Sequence, residues 1–253
     1  MYAEERQAAI VEQARSRGRV EVAGLAQELN VTTETVRRDL SVLERHGVLR
    51  RVHGGAIPVE RLGFEPGLAD RDRAMSDEKE RIARAALAEV PAEGAILLDA
   101  GTTTARLAEI LPAEATLTVV TNSLPIALTL SSRPNLTVLT VGGRIRGRTA
   151  AMVDAWALRV LEDTLVDVAF VGTNGLSVER GLTTPDTAEA AVKRAMLRAA
   201  RHTVVLADHT KIGNDHFARF GDTGDIDVLI TDRGIDPDQA GSLEACGIRV
   251  DRA

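Results

Sequence analysis

From residue 77 onward the chain alternates strand-sized apolar runs with segments of helical spacing, and few folds other than a mostly parallel sheet with helices on both faces accommodate that alternation. The runs 96–100, 117–121, 136–141, 166–171, 203–207 and 228–231 read as strands, and 78–90, 104–111, 125–131, 156–161, 188–200 and 236–245 read as helices. Parallel sheets bind ligands in the crevice beyond the carboxyl ends of their strands. The segments at those ends are polar: Asp99-Ala100-Gly101-Thr102-Thr103-Thr104, Thr121-Asn122-Ser123, Gly142-Gly143-Arg144, Gly172-Thr173-Asn174-Gly175 and Asp208-His209-Thr210-Lys211. Glycines let backbone approach a ligand, threonines offer hydroxyls and N–H groups, and a helix starting near Thr104 adds its positive end, which together suit phosphate. Any one cluster reads equally well as a turn, because Gly, Asn, Asp and Thr are common after strands. Their recurrence at successive strand ends favours a site. No GxxxxGK[ST] loop is present, and no GxGxxG opens a helix after the first strand, so nucleotide sites of those kinds are not indicated.

The first 57 residues follow a different pattern. Ile10 and Ala14 mark a short amphipathic helix ended by Gly18, the segment 20–22 alternates like a brief strand, and Leu25, Ala26 and Leu29 line a two-turn helix stopped by Asn30. Thr32 suits an N-cap, Glu34 sits in the first turn, and Val36, Leu40 and Leu43 form the apolar stripe of a third helix that Gly47 closes. Opposite that stripe fall Glu34, Arg38 and Ser41, flanked by Thr35 and Arg37. Leu49 to His53 then reads as a strand, Gly54-Gly55 as a tight turn and Ala56-Ile57 as its return, a small wing carrying Arg50, Arg51 and His53. Two short helices and a basic wing form the geometry that lays one helix in the major groove of duplex DNA. The plainer alternative is a helical hairpin whose arginines are merely solvated.

Charge bears on that choice. The net charge of -6 argues against a nucleic-acid partner, yet residues 1–58 hold nine Lys or Arg against eight Asp or Glu, while the remainder holds 22 against 29. Within 36–53 five arginines face two acids, so a basic patch rides on an acidic body. Other classes drop out on composition. Aromatics are 2% of the chain, too few to stack single-stranded bases, and the lone Cys246 permits neither an internal disulfide nor a cysteine zinc site. The histidines form no HxxxH pair, so no metal and no cofactor is expected. The apolar runs fall far short of the roughly 20 residues of a membrane helix. Met1-Tyr2-Ala3-Glu4-Glu5-Arg6 lacks the pattern of a secretory signal, and the expected location is the cytoplasm.

Thr32-Thr33-Glu34-Thr35-Val36-Arg37-Arg38-Asp39-Leu40 and Arg50-Arg51-Val52-His53-Gly54-Gly55-Ala56 resemble the winged helix-turn-helix of DeoR-type bacterial transcription regulators. The polar strand ends resemble that family's sensor domain, similar in fold to ribose-5-phosphate isomerase, glucosamine-6-phosphate deaminase and coenzyme A transferases. Met1 to Gln7 and Val171 to Gly175 look most like regulators of fructose-utilisation operons. The resemblance covers nearly the whole chain. It implies a winged helix-turn-helix at 1–57 and an α/β phosphosugar sensor at 77–253, and between them 58–76, with Pro58, Gly63, Pro66 and Gly67 among charges and no periodicity, reads as a linker. It also implies a repressor of a sugar-catabolism operon, relieved by a phosphorylated sugar, a fructose phosphate in the narrowest form of the match. Thr32, Thr33, Thr35, Arg37, Arg38, Ser41, Arg50, Arg51 and His53 would then meet double-stranded operator DNA. Asp99, Gly101, Thr102, Thr103, Thr104, Thr121, Asn122, Gly142, Gly143, Asn174, Glu189, Lys193, Asp208 and Lys211 would surround the effector. Two positions depart from the family's pattern: Asp154, where many members have Gly, and His209, where Ser is common.

The rival class is a sugar-phosphate isomerase-like enzyme with an appended DNA-binding domain, in which Glu189 and Lys193 serve as acid and cation. The commoner reading of Glu four residues before Lys is a surface helical pair worth about 0.2–0.5 kcal/mol. An attached DNA-binding domain favours sensing over turnover. One short winged domain contacts few base pairs, so a dimer or tetramer is expected, with half-sites about 34–36 Å apart or a multiple of that.

Overall fold

Ile10 and Ala14, four residues apart, bury one face of helix α1 (Ala3–Arg17), which stops at Gly18 in the left-handed conformation that favours glycine. The computed structural model describes residues 3–45, 48–52, 54–58, 65 and 67–253. It divides into two units, Met1–Pro66 and Gly67–Ala253.

In the first unit, strand β1 (Val20–Glu21) leads directly into α2 (Val22–Glu28), and α3 (Thr33–Arg45) follows. Val22 thus belongs to the helix, not to the strand expected at 20–22. Val36, Leu40 and Leu43 are buried with Ile10, Val20, Leu25, Leu49 and Ala56 in one cluster. Strands β2 (Leu49–Val52) and β3 (Gly55–Pro58) pair antiparallel, and β1 adds beyond β3. A Cβ at position 55 would lie 2.0 Å from the Val20 carbonyl oxygen, so glycine there lets β1 approach the wing. Gly47 and His53 lie outside the described residues, as does the side chain of Arg50.

The second unit opens with α4 (Leu68–Arg73) and α5 (Ser76–Ala86), then β4 (Glu93–Leu98), α6 (Thr102–Glu109), β5 (Thr116–Thr121), α7 (Leu124–Leu130) and β6 (Leu136–Thr140). A hairpin, β7 (Arg144–Ile145) and β8 (Met152–Val153), precedes α8 (Ala155–Glu162) and β9 (Val166–Gly172). After β10 (Gly175–Ser177) and β11 (Gly181–Thr184) come α9 (Thr187–Arg198), β12 (Ala200–Leu206), β13 (Ala218–Gly221), β14 (Val228–Thr231), α10 (Pro237–Ala245) and β15 (Arg249–Arg252). Seven strands form one sheet in the order β15-β14-β12-β9-β4-β5-β6, every pair parallel. Alternate residues feed opposite faces: Leu97, Ala169 and Val171 join one apolar cluster, and Ile96, Leu98 and Phe170 the other. Strands buried on both faces read as unbroken apolar runs, which made β4, β5, β9, β12 and β14 legible, while β6, half-exposed at the sheet edge, was legible from Leu136, Val138 and Leu139.

The expected strands and helices are present with shifts of a few residues at their ends. Elements too short or too charged to carry a period were not expected: the hairpin β7-β8, the antiparallel sheet β10-β11-β13, and the edge strand β15. Within the segment 58–76, residues 68–73 are helical and the second unit begins at Gly67. No helix among the described residues is long and apolar enough to cross a membrane.

Candidate functional site

Thr32 caps α3: its Oγ1 accepts the Thr35 amide at 3.2 Å and lies 2.9 Å from Thr35 Oγ1. Thr32, Thr33, Arg37 and Arg38 are exposed, and Thr35 and Ser41 are half-buried. Arg37 pairs with Glu34 at 3.7 Å on the surface, an interaction of little energetic weight. Ser41 Oγ donates to the Arg37 carbonyl at 2.9 Å and accepts Arg51 Nη1 at 3.3 Å, while the Arg51 amide donates to Glu44 at 2.9 Å. These bonds tie the wing to α3 and bring exposed Arg51 to the helix's outward side.

Asp39 counted as one of two acids in the basic patch, but it is buried. Its carboxylate accepts Arg6 Nε at 2.5 Å and Gln7 Nε2 at 3.0 Å, fixing α1 on α3. Burial raises its proton affinity, yet the Arg6 and Gln7 hydrogen bonds and the charges of Arg6 and Arg38 hold the carboxyl below its usual range. The outward surface of α3 is therefore more basic than the composition of 36–53 suggests.

At the carboxyl edge of the large sheet, Asp99 is fully buried just beyond β4. Its Oδ2 accepts Lys193 Nζ and the Gly172 amide, the latter at 3.0 Å, and Lys193 also donates to the Gly172 carbonyl at 2.9 Å. Asp99 Oδ1 has no hydrogen-bond partner among the described residues. Burial pushes this carboxyl above its ordinary pKa against the opposing pull of Lys193 and Gly172. Asn122 closes the neighbouring strand end, its Oδ1 accepting the Ala100 amide at 2.7 Å. Gly101 precedes α6 in extended conformation, with Thr102 and Thr103 in the helix's first turn.

Other candidates have internal roles. Thr104 Oγ1 donates to the Asp99 carbonyl at 2.6 Å, and Thr121 Oγ1 donates to the Leu98 carbonyl at 2.7 Å. Asn174 Oδ1 accepts Thr184 Oγ1 at 3.0 Å. A Cβ on Gly143 would lie 2.3 Å from the Val153 carbonyl oxygen, so that glycine admits the hairpin strand, and Gly142 beside it is also left-handed. Asp208 is buried and accepts the Thr210 amide at 3.1 Å, with Lys211 half-buried in the same short turn.

The surface-pair reading of Glu189 and Lys193 is corrected: both are buried. Lys193 turns to Asp99, and Glu189 accepts Arg146 and Thr149 Oγ1 from the β7-β8 turn. His209 Nδ1 lies 2.8 Å from Asp232, whose carboxylate also accepts the His209 and Gly234 amides.

Asp154, one of the departures, sits at φ +77° and ψ −167°, a region essentially reserved for glycine. Its compensation is an exposed ion pair with Arg144 at 2.7 Å. Such strain costs on the order of 1–3 kcal/mol, and a solvent-screened pair at the surface returns little of it. Asp154→Gly is accordingly expected to stabilise the protein by about 1 kcal/mol in urea unfolding.

Sequence reasoning missed Lys79 and Arg106. Lys79, on α5, is buried, donates to the Arg71 and Ala74 carbonyls, and is lowered to about 8 by burial, with Lys211, Arg71 and Arg106 adding to the shift and Asp208 opposing it. A lysine beside Glu78 and Glu80 reads as solvated, so only its place one turn after Met75 could have flagged it. Because the folded state releases this proton before the unfolded state does, wild type should gain stability relative to Lys79→Met as pH rises from about 8 towards 10.5. Paired unfolding curves across that range test this. A difference independent of pH would contradict it.

Residues 6–61 match the DeoR-like helix-turn-helix domain and residues 74–233 the DeoR C terminal sensor domain. The chain is 38% identical over 250 residues to the HTH-type transcriptional regulator GlpR of Haloferax volcanii, covering 99% of this chain and 98% of the relative. It is 34% identical to an uncharacterized HTH-type transcriptional regulator, FruR of Bacillus subtilis, over 92% of each chain. It is 29% identical to the glycerol-3-phosphate regulon repressor of Escherichia coli K12 over 88% of each. Among solved structures, the chain is similar to ribose 5-phosphate isomerase A of Methanocaldococcus jannaschii over 55% of each chain, at 19% identity with a TM-score of 0.41. With both domain models matched in order and relatives aligned from end to end, the chain belongs to the DeoR family of transcriptional regulators.

Proposed function

We propose that the chain is a DNA-binding repressor of a sugar-catabolism operon, relieved by a phosphorylated sugar, a fructose phosphate being the narrowest form of the reading. The observation that carries the effector half is Asp99 Oδ1, a buried carboxylate oxygen without a partner among the described residues, next to Lys193 and close before the start of α6. Leaving such an atom unsatisfied costs about 1–3 kcal/mol, and a ligand hydroxyl is a donor that would satisfy it. The first-turn amides of α6 with Thr102 and Thr103, and the cations Lys211 and Lys79, suit the phosphate. The name of the Escherichia coli relative joins a repressor to a phosphorylated polyol, which supports the same chemistry.

The operator half rests on Arg38 and Arg37, exposed on α3 beside Arg51 of the wing. Arg38→Ala should weaken a cognate operator by about 1–3 kcal/mol if the guanidinium reads a base edge, with little loss on random duplex. An equal loss on both would reassign it to phosphate, and no loss on either would remove it from the interface. We read the protein as a regulator without turnover, acting as at least a dimer. Isomerisation of a bound sugar phosphate would instead favour the enzyme reading.

A further inference from the structure

Helix α4 buries no residue, unlike every other α-helix of the second unit. Polar contacts hold it at both ends. The Leu68 amide donates to the Arg148 carbonyl at 3.2 Å. At the other end Lys79 Nζ donates to the carbonyls of Arg71 and, at 2.6 Å, Ala74. Arg106 donates to the Asp72 carboxylate at 2.6 Å, the Asp72 carbonyl at 3.1 Å and Ser76 Oγ at 3.0 Å.

Each anchor lies on an element that shares or touches candidate effector residues. Arg148 lies in the β7-β8 turn whose Arg146 and Thr149 hold Glu189. Arg106 follows Thr102, Thr103 and Thr104 on α6 and donates to the Thr102 carbonyl at 3.2 Å. Lys79 feels the charges of Asp208 and Lys211. Between α4 and α5, Met75 sits at φ +55° and ψ +39°, a left-handed conformation that a non-glycine residue keeps only where its surroundings enforce it.

We propose that α4 is a strap released by the effector: an anion bound among Lys211 and the hydroxyls and amides at the start of α6 draws Lys79 and Arg106 away from α4, and the strap comes loose. The inference rests on the phosphosugar reading above. Helix α4 offers Lys79 only carbonyls and roughly half a negative charge, and offers Arg106 one exposed carboxylate, whereas a phosphate brings nearly two, so the anion outcompetes α4 for the same cations. No fully buried side chain retains the helix once those contacts go, and relaxation of Met75 favours release. By connectivity alone, loosening 68–74 releases the segment that joins the first unit to α5.

Hydrogen exchange on the full chain tests this, with fructose 6-phosphate and inorganic phosphate as probes, fructose as the uncharged control, and calorimetry on the same samples to report binding. The Arg71 and Ala74 amides, bonded to the Gly67 and Asp70 carbonyls, should exchange about tenfold faster or more with a bound phosphate probe, while β4 and β9 are unchanged. Lys79→Met and Arg106→Lys, the latter keeping charge but losing the fork, should each give part of that acceleration without ligand, and together most of it. Binding of a probe with unchanged or slower exchange at Arg71 and Ala74 would overturn the strap and leave the effector reading intact. Full protection of α4 in Lys79→Met would also overturn it. Failure of both phosphate probes to bind would overturn strap and effector reading together.

Discussion

Replacing Lys193 by methionine is expected to lower the stability of the second unit by about 3–5 kcal/mol, the loss typical of breaking a buried ion pair from one side. The methionine fills much of the same space, so the cost is electrostatic. It leaves the Asp99 carboxylate in the core with the Gly172 amide as its remaining described donor. Burial already favours the protonated form of Asp99, and without Lys193 that preference grows. The penalty should therefore shrink as pH falls, because protonating Asp99 removes the unpaired charge. Asp99→Asn combined with Lys193→Met should recover most of the loss, giving a coupling energy of roughly 1–3 kcal/mol in a urea-unfolding cycle. A single-variant loss below about 1 kcal/mol would mean that the pair does not organise this edge of the sheet.

The same pair marks where sequence reading reaches its limit. Glu189 and Lys193 stand four apart on α9, and spacing alone cannot tell a solvated pair from two buried residues facing different partners. What decides it is β4, whose end places Asp99 against Lys193 from 94 positions away. Asp39 hid for the same reason, since its partners Arg6 and Gln7 come from α1. Lys79 was invisible because α4 had no pattern to announce a helix whose carbonyls a lysine could hold. By contrast, β14 was legible residue for residue as 228–231, because a central parallel strand is apolar on both faces. Its neighbour β15 alternates Arg249 and Asp251 with Val250 at the sheet edge and gave no such run. Thr32 was legible as a cap because capping is local chemistry, carried within three residues.

The second large effect is expected between ligands. If a sugar phosphate relieves repression, it must bind more tightly to the form with low operator affinity, and its leverage equals that difference. Couplings of this kind amount to about 1–3 kcal/mol, or roughly 5–150-fold in affinity, and they are reciprocal: bound operator must weaken the sugar phosphate by the same factor. Lys211→Ala should reduce the affinity for the sugar phosphate while leaving operator binding without effector unchanged, since Lys211 belongs to the second unit and the arginine-bearing α3 to the first. Arg38→Ala should do the converse.

Titration of fructose 6-phosphate into the full chain, alone and bound to an operator duplex selected from random sequence, measures the coupling between effector and operator. Effector binding should be weaker on the operator, by the factor measured for the effector's release of the duplex. Equal affinity with and without operator would contradict that coupling.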